Sequence, residues 1–470
     1  MIARLSAATL ALMLLAAPAA AQSARIIVIN GDPPGVGFND PTPAAPVGGN
    51  PGTTVGQQAL NVFQTAANRW AGNLQSKRVI SVLAFFTPLG CNETSGVLGA
   101  AAPYFSIRDV PALQQGGKPL EPGTFYPVAL AEKITRQEIT EAVLPEEPFE
   151  IFTLFNSELG KPGCLTGNGW YYGLDNEQPG NRIDLLAVVM HEFGHGLGVT
   201  VGPTNASTGL RAGSDAGGRF PSVWERRMLD VTTGKRWIDM TDIERAVSAR
   251  NTGNLVWAGK QVTNVIPSVL DFQLSLRGDG IPNGEVLRST LGAPLPRKFG
   301  NVLVAPADGG GVSLLDGCEP YPAASQVAGA IVLVDRGSCT FVQKALVAQA
   351  AGAVGLVVAN NAPGAFAVGG VDPSVTIPVL STTQAYGATL RAAAPIVVGT
   401  FEDPRTRTGT TNGFARLFAP NPFQGGSSVS HFDTSLTPSV LMEPNITSEL
   451  TSRVKNPIDL TLPLLRDIGW

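Results

Sequence analysis

Residues 191–198 read HEFGHGLG, a stretch that begins with the pattern HExxH. Residues four apart lie on one face of a helix, so His191 and His195 can hold a single metal ion between them. Imidazole nitrogens bind Zn²⁺ at about 2.0–2.1 Å. Glu192 stands beside the first ligand, where a carboxylate can take a proton from a water that zinc has acidified. The motif therefore predicts a catalytic zinc site with Glu192 as general base.

The residues before the motif predict an apolar helix. Residues 185–190 read LLAVVM, Asp184 suits the N-cap, and Gly198 stands where a helix stop is expected. The alternative is a chance HExxH on a surface helix. Two histidines and a glutamate in so apolar a helix would be costly unless they served a site. We therefore expect a metal-binding helix over residues 185–197.

A catalytic zinc needs a third protein ligand and an open position. The chain has three histidines, and the third is His431, 236 residues beyond His195. It follows a Gly- and Ser-rich approach, and Asp433 stands where it could orient an imidazole from behind. Glu225 is a rival third ligand, since a glutamate on a later helix completes thermolysin-like zinc sites. Its spacing to Asp230 is one residue off that pattern, and other carboxylates also remain open.

The string HEFGHGLG resembles the HExxHxxG start of the metzincin zinc peptidases. In that family a glycine lets the chain turn toward a third histidine, and a methionine turn lies beneath the metal. The compact spacing would put the third ligand at Val201, which cannot bind zinc. The leishmanolysin-like branch instead carries a long insertion before its third histidine. That resemblance implies His431 as the third ligand and Met442, in the string LMEP, as the methionine turn.

A second resemblance covers residues 298–402. The strings RGSCTF at 336–341 and AGAVGLVVANN at 351–361 are similar to the protease-associated (PA) domain. Such domains carry no catalytic residues, and the resemblance implies contact with a protein substrate or a gating role. An ordinary small α/β domain without functional coupling is the alternative. Periodicity predicts strands at 330–334, 354–359 and 376–380 and helices at 340–351 and 382–393.

The chain has the features of an exported protein. Residues 1–21 combine Arg4, a short apolar run and a small-residue cleavage pattern, which predicts a signal peptide. The longest later apolar region, residues 345–359, is too short to span a bilayer and contains Gln349. We therefore expect a secreted or periplasmic protein without a membrane span.

The number of cysteines is even, as expected of disulfides in an oxidising compartment. They are Cys91, Cys164, Cys318 and Cys339. Three pairings are possible, and we favour Cys91–Cys164 and Cys318–Cys339 because each pair then lies within one domain.

The composition excludes some classes of protein. Hydrophobic residues make up 44%, which rules out a wholly disordered chain. The 33 basic and 37 acidic residues give a net charge of −4, so charge gives no reason to expect binding to nucleic acid or an anionic membrane. A helix is predicted at 54–74, and strands at 79–86 and 149–155.

The fold class expected from these observations is α+β. A zincin- or metzincin-like catalytic domain with a mixed sheet and an active-site helix would occupy residues 22–297 and 403–470. The PA-like α/β domain at residues 298–402 would interrupt it. The expected function is a secreted endopeptidase that binds one Zn²⁺ and cleaves polypeptides. A catalytically inactive binding or adhesion protein and a zinc hydrolase of a non-peptide amide are the alternatives.

Structural calcium has no motif to support it. Asp279, Asp308 and Asp316 lie in Gly-rich loops and could bind Ca²⁺, but none shows the spacing of an EF-hand. We therefore predict that these three residues form turns.

Overall fold

The computed structural model describes residues 23–180, 182–213, 219–370, 372–447 and 450–470. The predicted signal peptide lies outside these ranges. Within them, no helix combines the length and the hydrophobicity that crossing a bilayer requires.

The N-terminal part is built on a mixed sheet. Its strand order is β1-β2-β6-β3, with β1, β2 and β6 parallel and the edge strand β3 antiparallel to β6. The elements are β1 (Arg25–Asn30), α1 (Val55–Ala71), β2 (Val79–Thr87), β3 (Gly99–Pro103), β4 (Ser106–Ile107), β5 (Tyr126–Pro127), α2 (Val128–Thr135), α3 (Ile139–Val143), β6 (Ile151–Asn156), β7 (Trp170–Tyr171), β8 (Ile183–Asp184) and α4 (Leu185–Leu197). The predicted helix at 54–74 is thus α1, and it ends before Gly72, earlier than expected.

Helix α4 has the predicted bounds. The Asp184 carboxylate accepts hydrogen bonds from the backbone N–H groups of Leu186 and Ala187, which caps the helix. The helix ends at Gly198, whose φ of 125° is one that L-residues rarely adopt. Every residue of α4 except His191 is buried. An apolar helix therefore becomes the central helix of the domain, and its single partly open position carries a histidine.

Helix α4 is held against α1 by a polar contact as well as by apolar packing. The indole Nε1 of Trp70 donates to the Met190 carbonyl oxygen at 3.1 Å. Trp70 is fully buried, so this bond satisfies an indole that would otherwise be unpaired in the core.

Short elements connect α4 to the insertion. They are β9 (Thr204–Asn205), β10 (Leu210–Arg211), β11 (Met228–Asp230), β12 (Lys235–Arg236), α5 (Asp242–Ser248), β13 (Leu255–Trp257) and α6 (Lys260–Val269). Cys91–Cys164 is one of two disulfides, and it ties the loop after β2 to the loop after β6.

The insertion is a closed barrel with its own apolar clusters. Its elements are β14 (Phe272–Gly278), β15 (Gly284–Gly292), β16 (Gly300–Val304), β17 (Ile331–Asp335), α7 (Phe341–Ala350), β18 (Gly355–Ala359), β19 (Pro378–Thr382), α8 (Gln384–Ala393) and β20 (Ile396–Arg407). Thr340 and Thr383 cap the two helices, which confirms the predicted alternation of strands and helices. The Cys318–Cys339 disulfide lies within the barrel.

The predicted domain boundary at residue 298 differs from the structure. Strands β14 and β15 precede it, yet β15 pairs with β19 and β14 pairs with β20, so both belong to the barrel. The insertion therefore runs from 272 to 407. At its ends, the Thr408 N–H donates to the Asp271 carbonyl oxygen at 3.0 Å. The chain thus leaves and re-enters the catalytic domain at one point.

The C-terminal segment pairs and packs with the N-terminal part of the chain. It contains β21 (Thr410–Thr411), β22 (Phe414–Arg416) and α9 (Thr461–Ile468). Strand β22 pairs with β13 from before the insertion. One apolar core includes Val188 and Phe193 from α4 together with Leu417, Leu441 and Leu465. The two sequence-distant halves therefore fold around the motif helix.

Candidate metal centre

Three imidazoles converge at one point in the domain built around α4. The Nε2 atoms of His191 and His195 are 3.0 Å apart. The His431 Nε2 lies 3.0 Å from that of His195 and 3.2 Å from that of His191. His195 and His431 are buried and His191 is partly open. The structure thus brings His431, which the sequence proposes as the third ligand, to the two motif histidines.

The second nitrogen of each ring is held by a backbone carbonyl. The Nδ1 of His191 lies 2.6 Å from the Leu441 oxygen, and that of His195 lies 2.6 Å from the Val199 oxygen. The His431 Nδ1 lies 2.8 Å from the Ser427 oxygen. A carbonyl oxygen only accepts, so each Nδ1 carries the proton. In a neutral ring the lone pair is then on Nε2.

These tautomers fit a bound cation. Burial lowers the pKa of His191 to about 4 and that of His195 to about 3, and it holds the pKa of His431 well below its usual value. The rings are therefore neutral at pH 7, and three lone pairs face one another without a proton between them. Two imidazole nitrogens bound tetrahedrally to zinc at about 2.0–2.1 Å lie about 3.3 Å apart. The observed spacing and donor set therefore suit zinc.

The position of His431 is fixed by its backbone. The Val429 N–H donates to the Phe418 oxygen at 2.8 Å, and the Phe418 N–H donates to the His431 oxygen at 2.9 Å. The Val429 oxygen accepts from Trp224 Nε1 at 3.1 Å. Val429 has a φ of 64°, which is rare for a β-branched residue and costs about 1–3 kcal/mol. The surrounding bonds hold this turn, and the turn aims His431 at α4.

Met442 lies beneath the motif helix. It is fully buried, and its Sδ is 2.7 Å from the position that a Cβ on Gly194 would occupy. The neighbouring Leu441 oxygen accepts from His191, and the Met442 oxygen accepts from the Phe432 N–H at 2.8 Å. The turn that carries Met442 therefore fixes both a motif histidine and the segment of His431, and the Met442 side chain fills the space that a Cβ at position 194 would occupy.

Glu192 lies in the same cleft as the three histidines. The cleft measures about 510 Å³ and is lined by residues 96–101 along β3, by the three histidines and Glu192, and by residues 425–427 and 443–446. Glu192 is buried with its carboxylate against Gly99 of the edge strand. Burial raises its pKa to about 8, and a nearby cation would lower it. The side chain is therefore placed to exchange a proton within the cleft.

The predicted role of Asp433 is wrong. The Asp433 carboxylate accepts from the Ser435 N–H at 3.0 Å, so it closes a turn. His431 has its Nδ1 committed to the Ser427 carbonyl and its Nε2 facing the other histidines. The His431 ring is oriented by a backbone carbonyl, and a contact with a backbone carbonyl cannot be read from residue types in the sequence.

Glu225 is not brought to the histidines. It is fully buried and paired with Arg211 at 2.8 Å, and it also accepts from the Thr204 hydroxyl and the Ser222 N–H. These contacts use both of its oxygens. The rival third ligand is therefore part of a buried ion pair elsewhere in the domain.

Comparison with known proteins identifies the insertion. Residues 301–390 match the family model of the PA domain, so the chain contains a PA domain within its barrel. The sequence is 38% identical over 117 residues to the probable lipoprotein aminopeptidase LpqL of Mycobacterium tuberculosis. That match covers 24% of this chain and 22% of the relative, so this chain spans about a fifth of the relative's length.

Solved structures give limited matches. The zinc aminopeptidase BSAP from Bacillus subtilis has a TM-score of 0.22 and 21% identity, over 30% of this chain and 37% of that one. An aminopeptidase from Aneurinibacillus sp. strain AM-1 has a TM-score of 0.21 and 20% identity, over 28% of this chain and 31% of that one. The histidine cleft lies outside residues 301–390, which match the PA family model. That match therefore assigns no function to the cleft.

Proposed function

We propose that this protein is a secreted zinc metalloendopeptidase of the metzincin type, with a PA domain inserted between its second and third metal ligands. The observation that carries this proposal is the triangle of Nε2 atoms 3.0–3.2 Å apart, with every Nδ1 held by a backbone carbonyl. His191, His195 and His431 would hold the ion. The Met442 turn and the long separation of His431 from the motif support the leishmanolysin-like branch.

The reaction that suits this site is hydrolysis of an amide bond. Zinc, when bound, polarises the scissile carbonyl and acidifies a water molecule. Glu192 is the base in reach of that cleft, and its carboxylate would take a proton from the attacking water at an Oε atom. The same oxygen would then pass the proton to the nitrogen of the leaving amine. The carbonyls that orient the three rings keep the lone pairs aimed at one point throughout.

The position of β3 favours cleavage within a chain. It is the edge strand of the sheet, and residues 96–101 line the cleft. An edge strand offers backbone N–H and C=O groups to an extended peptide, and such pairing recognises a backbone without needing a chain terminus. The relatives named aminopeptidases suggest the second candidate, removal of N-terminal residues. A substrate with a blocked N-terminus separates the two.

The PA domain is proposed to contact a polypeptide substrate. A second cleft of about 520 Å³ lies between the barrel and the catalytic domain. Glu443, Asn445 and Ile446 line both clefts. A substrate extending from the histidines past these three residues would meet barrel residues such as Phe366. This continuity supports a role for the barrel in binding protein substrates.

The disulfides and the predicted signal peptide agree with export of the protein. Two disulfides suit an oxidising compartment, and the predicted signal peptide would direct the protein there. The LpqL relative is named a lipoprotein, which agrees with an envelope or extracellular place. Polypeptides of that compartment are the proposed substrates.

The test is zinc analysis of the purified protein combined with hydrolysis assays. We expect about one zinc per chain, cleavage of casein and of an N-acetylated quenched peptide, and loss of both activities in a chelator. Hydrolysis of an amino-acid nitroanilide but not of the blocked peptide would favour the aminopeptidase. A zinc-loaded protein that cleaves none of these would favour the binding protein or the non-peptide amidase. Glu192→Gln serves as the control for contaminating proteases.

A further inference from the structure

A second acidic group lies inside the PA domain barrel, apart from the histidine cleft. Asp308, Asp316 and Glu319 each offer an oxygen, and these oxygens lie within 4.8 Å of one another. Asp308 is 3% exposed and Asp316 is 2% exposed. Carboxylates this close repel one another strongly when they are removed from water, so their grouping requires a compensating charge.

The hydrogen bonds of the three carboxylates are incomplete. Asp308 Oδ2 accepts from the N–H groups of Gly317 and Cys318, and Asp316 Oδ1 accepts from that of Cys318. Asp316 Oδ2 and Glu319 Oε2 are buried and have no hydrogen-bond partner among the described residues. Unpaired buried carboxylate oxygens are expensive, and a cation is the partner that two or more of them can share.

The hydroxyl of Tyr321 is a separate sign of a missing partner. Tyr321 is 7% exposed, and its oxygen is buried without a hydrogen bond to any described residue. This oxygen lies 3.1 Å from the Cβ position of Gly317, whose N–H bonds Asp308. Burial, with the charges of Asp308 and Asp316, raises the pKa of this hydroxyl. A neutral, buried hydroxyl without a hydrogen-bond partner among the described residues therefore lies beside the glycine whose N–H binds Asp308.

The nearby lysine does not balance the charge. Lys344 is fully buried, and its ammonium donates to the backbone oxygen of Asp316 and approaches the sulfur of Cys318. One positive charge against three carboxylates leaves an excess of two negative charges. A Cβ on Gly311 would come within 2.4 Å of Glu319 Oε1, so the glycine backbone closes directly over this carboxylate.

We propose that Asp308, Asp316 and Glu319 bind one Ca²⁺ ion within the PA domain. The donors are oxygens alone, which is the set that hard divalent cations choose, and Ca²⁺ accepts the irregular geometry of a loop. Its two charges match the excess. The ion would hold the Gly-rich loop at residues 308–317 against the disulfide-bonded Cys318. For Asp308 and Asp316 the sequence favours turns over Ca²⁺ binding, and the proposal gives them both roles, whereas Asp279 is exposed and stands outside the group.

The test uses the full-length protein with its zinc kept loaded and no chelator present. Tb³⁺ replaces Ca²⁺ in oxygen sites and emits when a nearby aromatic ring is excited, so Tb³⁺ emission is titrated and then displaced with Ca²⁺. Extracellular modules bind Ca²⁺ at about 10⁻⁴–10⁻³ M, which sets the range of the titration. We expect one displaceable Tb³⁺ per chain and a higher melting temperature of the barrel in Ca²⁺.

Glu319→Gln is the decisive variant because the Oε2 atom of Glu319 has no hydrogen-bond partner among the described residues to lose. We expect it to weaken Ca²⁺ at least tenfold, to abolish the thermal shift, and to leave the Ca²⁺-free protein as stable as before or more stable. Asp279→Asn, at an exposed acid of the same domain, should bind as the wild type does. Absence of Ca²⁺-dependent stabilisation in the wild type, or equal affinity in both variants, would overturn the proposal. The three carboxylates would then share protons instead.

Discussion

Replacing Gly99 with alanine should reduce turnover while leaving the metal in place. Gly99 belongs to the edge strand β3, and its missing side chain makes room for Glu192. A Cβ at this position would lie 2.9 Å from Glu192 Cγ, 3.0 Å from Oε1 and 3.1 Å from Cδ. Carbon atoms in contact prefer about 3.5–4.0 Å. The carboxylate therefore has to move by about 0.5–1 Å.

A movement of this size is large for a catalytic group. Misplacement by about 1 Å costs a rate factor of about 10², or about 2.7 kcal/mol in the barrier. We therefore expect Gly99→Ala to lower kcat by about ten- to a hundredfold. Zinc content should be unchanged, because the three atoms nearest to a Cβ at Gly99 all belong to Glu192 and none belongs to an imidazole.

The assay is steady-state cleavage of an N-acetylated quenched peptide, with zinc measured on the same samples. Gly425→Ala is the matched control, since Gly425 lines the same cleft but a Cβ there meets nothing within 4 Å. An unchanged kcat in Gly99→Ala would refute the placement of Glu192 as the base. Equal losses in both variants would show that crowding of the cleft is responsible.

Four further predictions concern separate parts of the molecule. Glu192→Gln should retain zinc and lose about 10²–10⁴-fold in turnover; a loss below tenfold in the peptide assay would count against a general base. Glu225→Ala should keep zinc but destabilise the fold by about 3 kcal/mol in urea unfolding, because it leaves a buried arginine unpaired. Burial raises the pKa of Glu150 to about 7 from a usual 4.5. The folded state therefore favours the protonated carboxyl, and the stability that this gives is full below pH 4.5 and is lost as the pH rises through 7. Glu150→Gln should remove about 3 kcal/mol of this pH dependence without changing turnover, as measured by unfolding at several pH values. Replacing residues 272–407 with a short Gly/Ser linker should leave zinc bound and impair casein cleavage more than peptide cleavage. Excising only 298–402 should prevent folding, because it leaves the β14–β15 hairpin without β19 and most of β20.

The parts of the fold that were predictable are those that local signals determine. Helix α4 was predicted over its full length because an N-cap carboxylate and a C-terminal glycine mark its ends. The PA domain was recognisable from compact strings, and the three strands and two helices predicted for it end within one or two residues of β17, β18, β19, α7 and α8. His431 was singled out because the chain offers a third histidine and no fourth.

The parts that were missed depend on contacts between distant residues. Strand β14 pairs with β20, and Leu274 faces Glu402 across the ladder. Nothing near β14 in the chain indicates that partner. The carbonyls of Val199, Ser427 and Leu441 orient the histidines, and a backbone carbonyl leaves no trace in residue type. The prediction that Asp433 orients His431 was wrong because the two residues are close in sequence but their side chains have different partners. His431 contacts the Ser427 carbonyl and Asp433 accepts from the Ser435 N–H.

Whether His191, His195 and His431 hold one zinc ion is tested most directly by diffraction from crystals of the zinc-loaded protein, measured at the zinc absorption edge. We expect one anomalous peak in the domain that contains α4, about 2.0–2.1 Å from the Nε2 atoms of His191, His195 and His431. A peak at His191 and His195 with a carboxylate as third ligand, and with His431 turned away, would contradict this expectation.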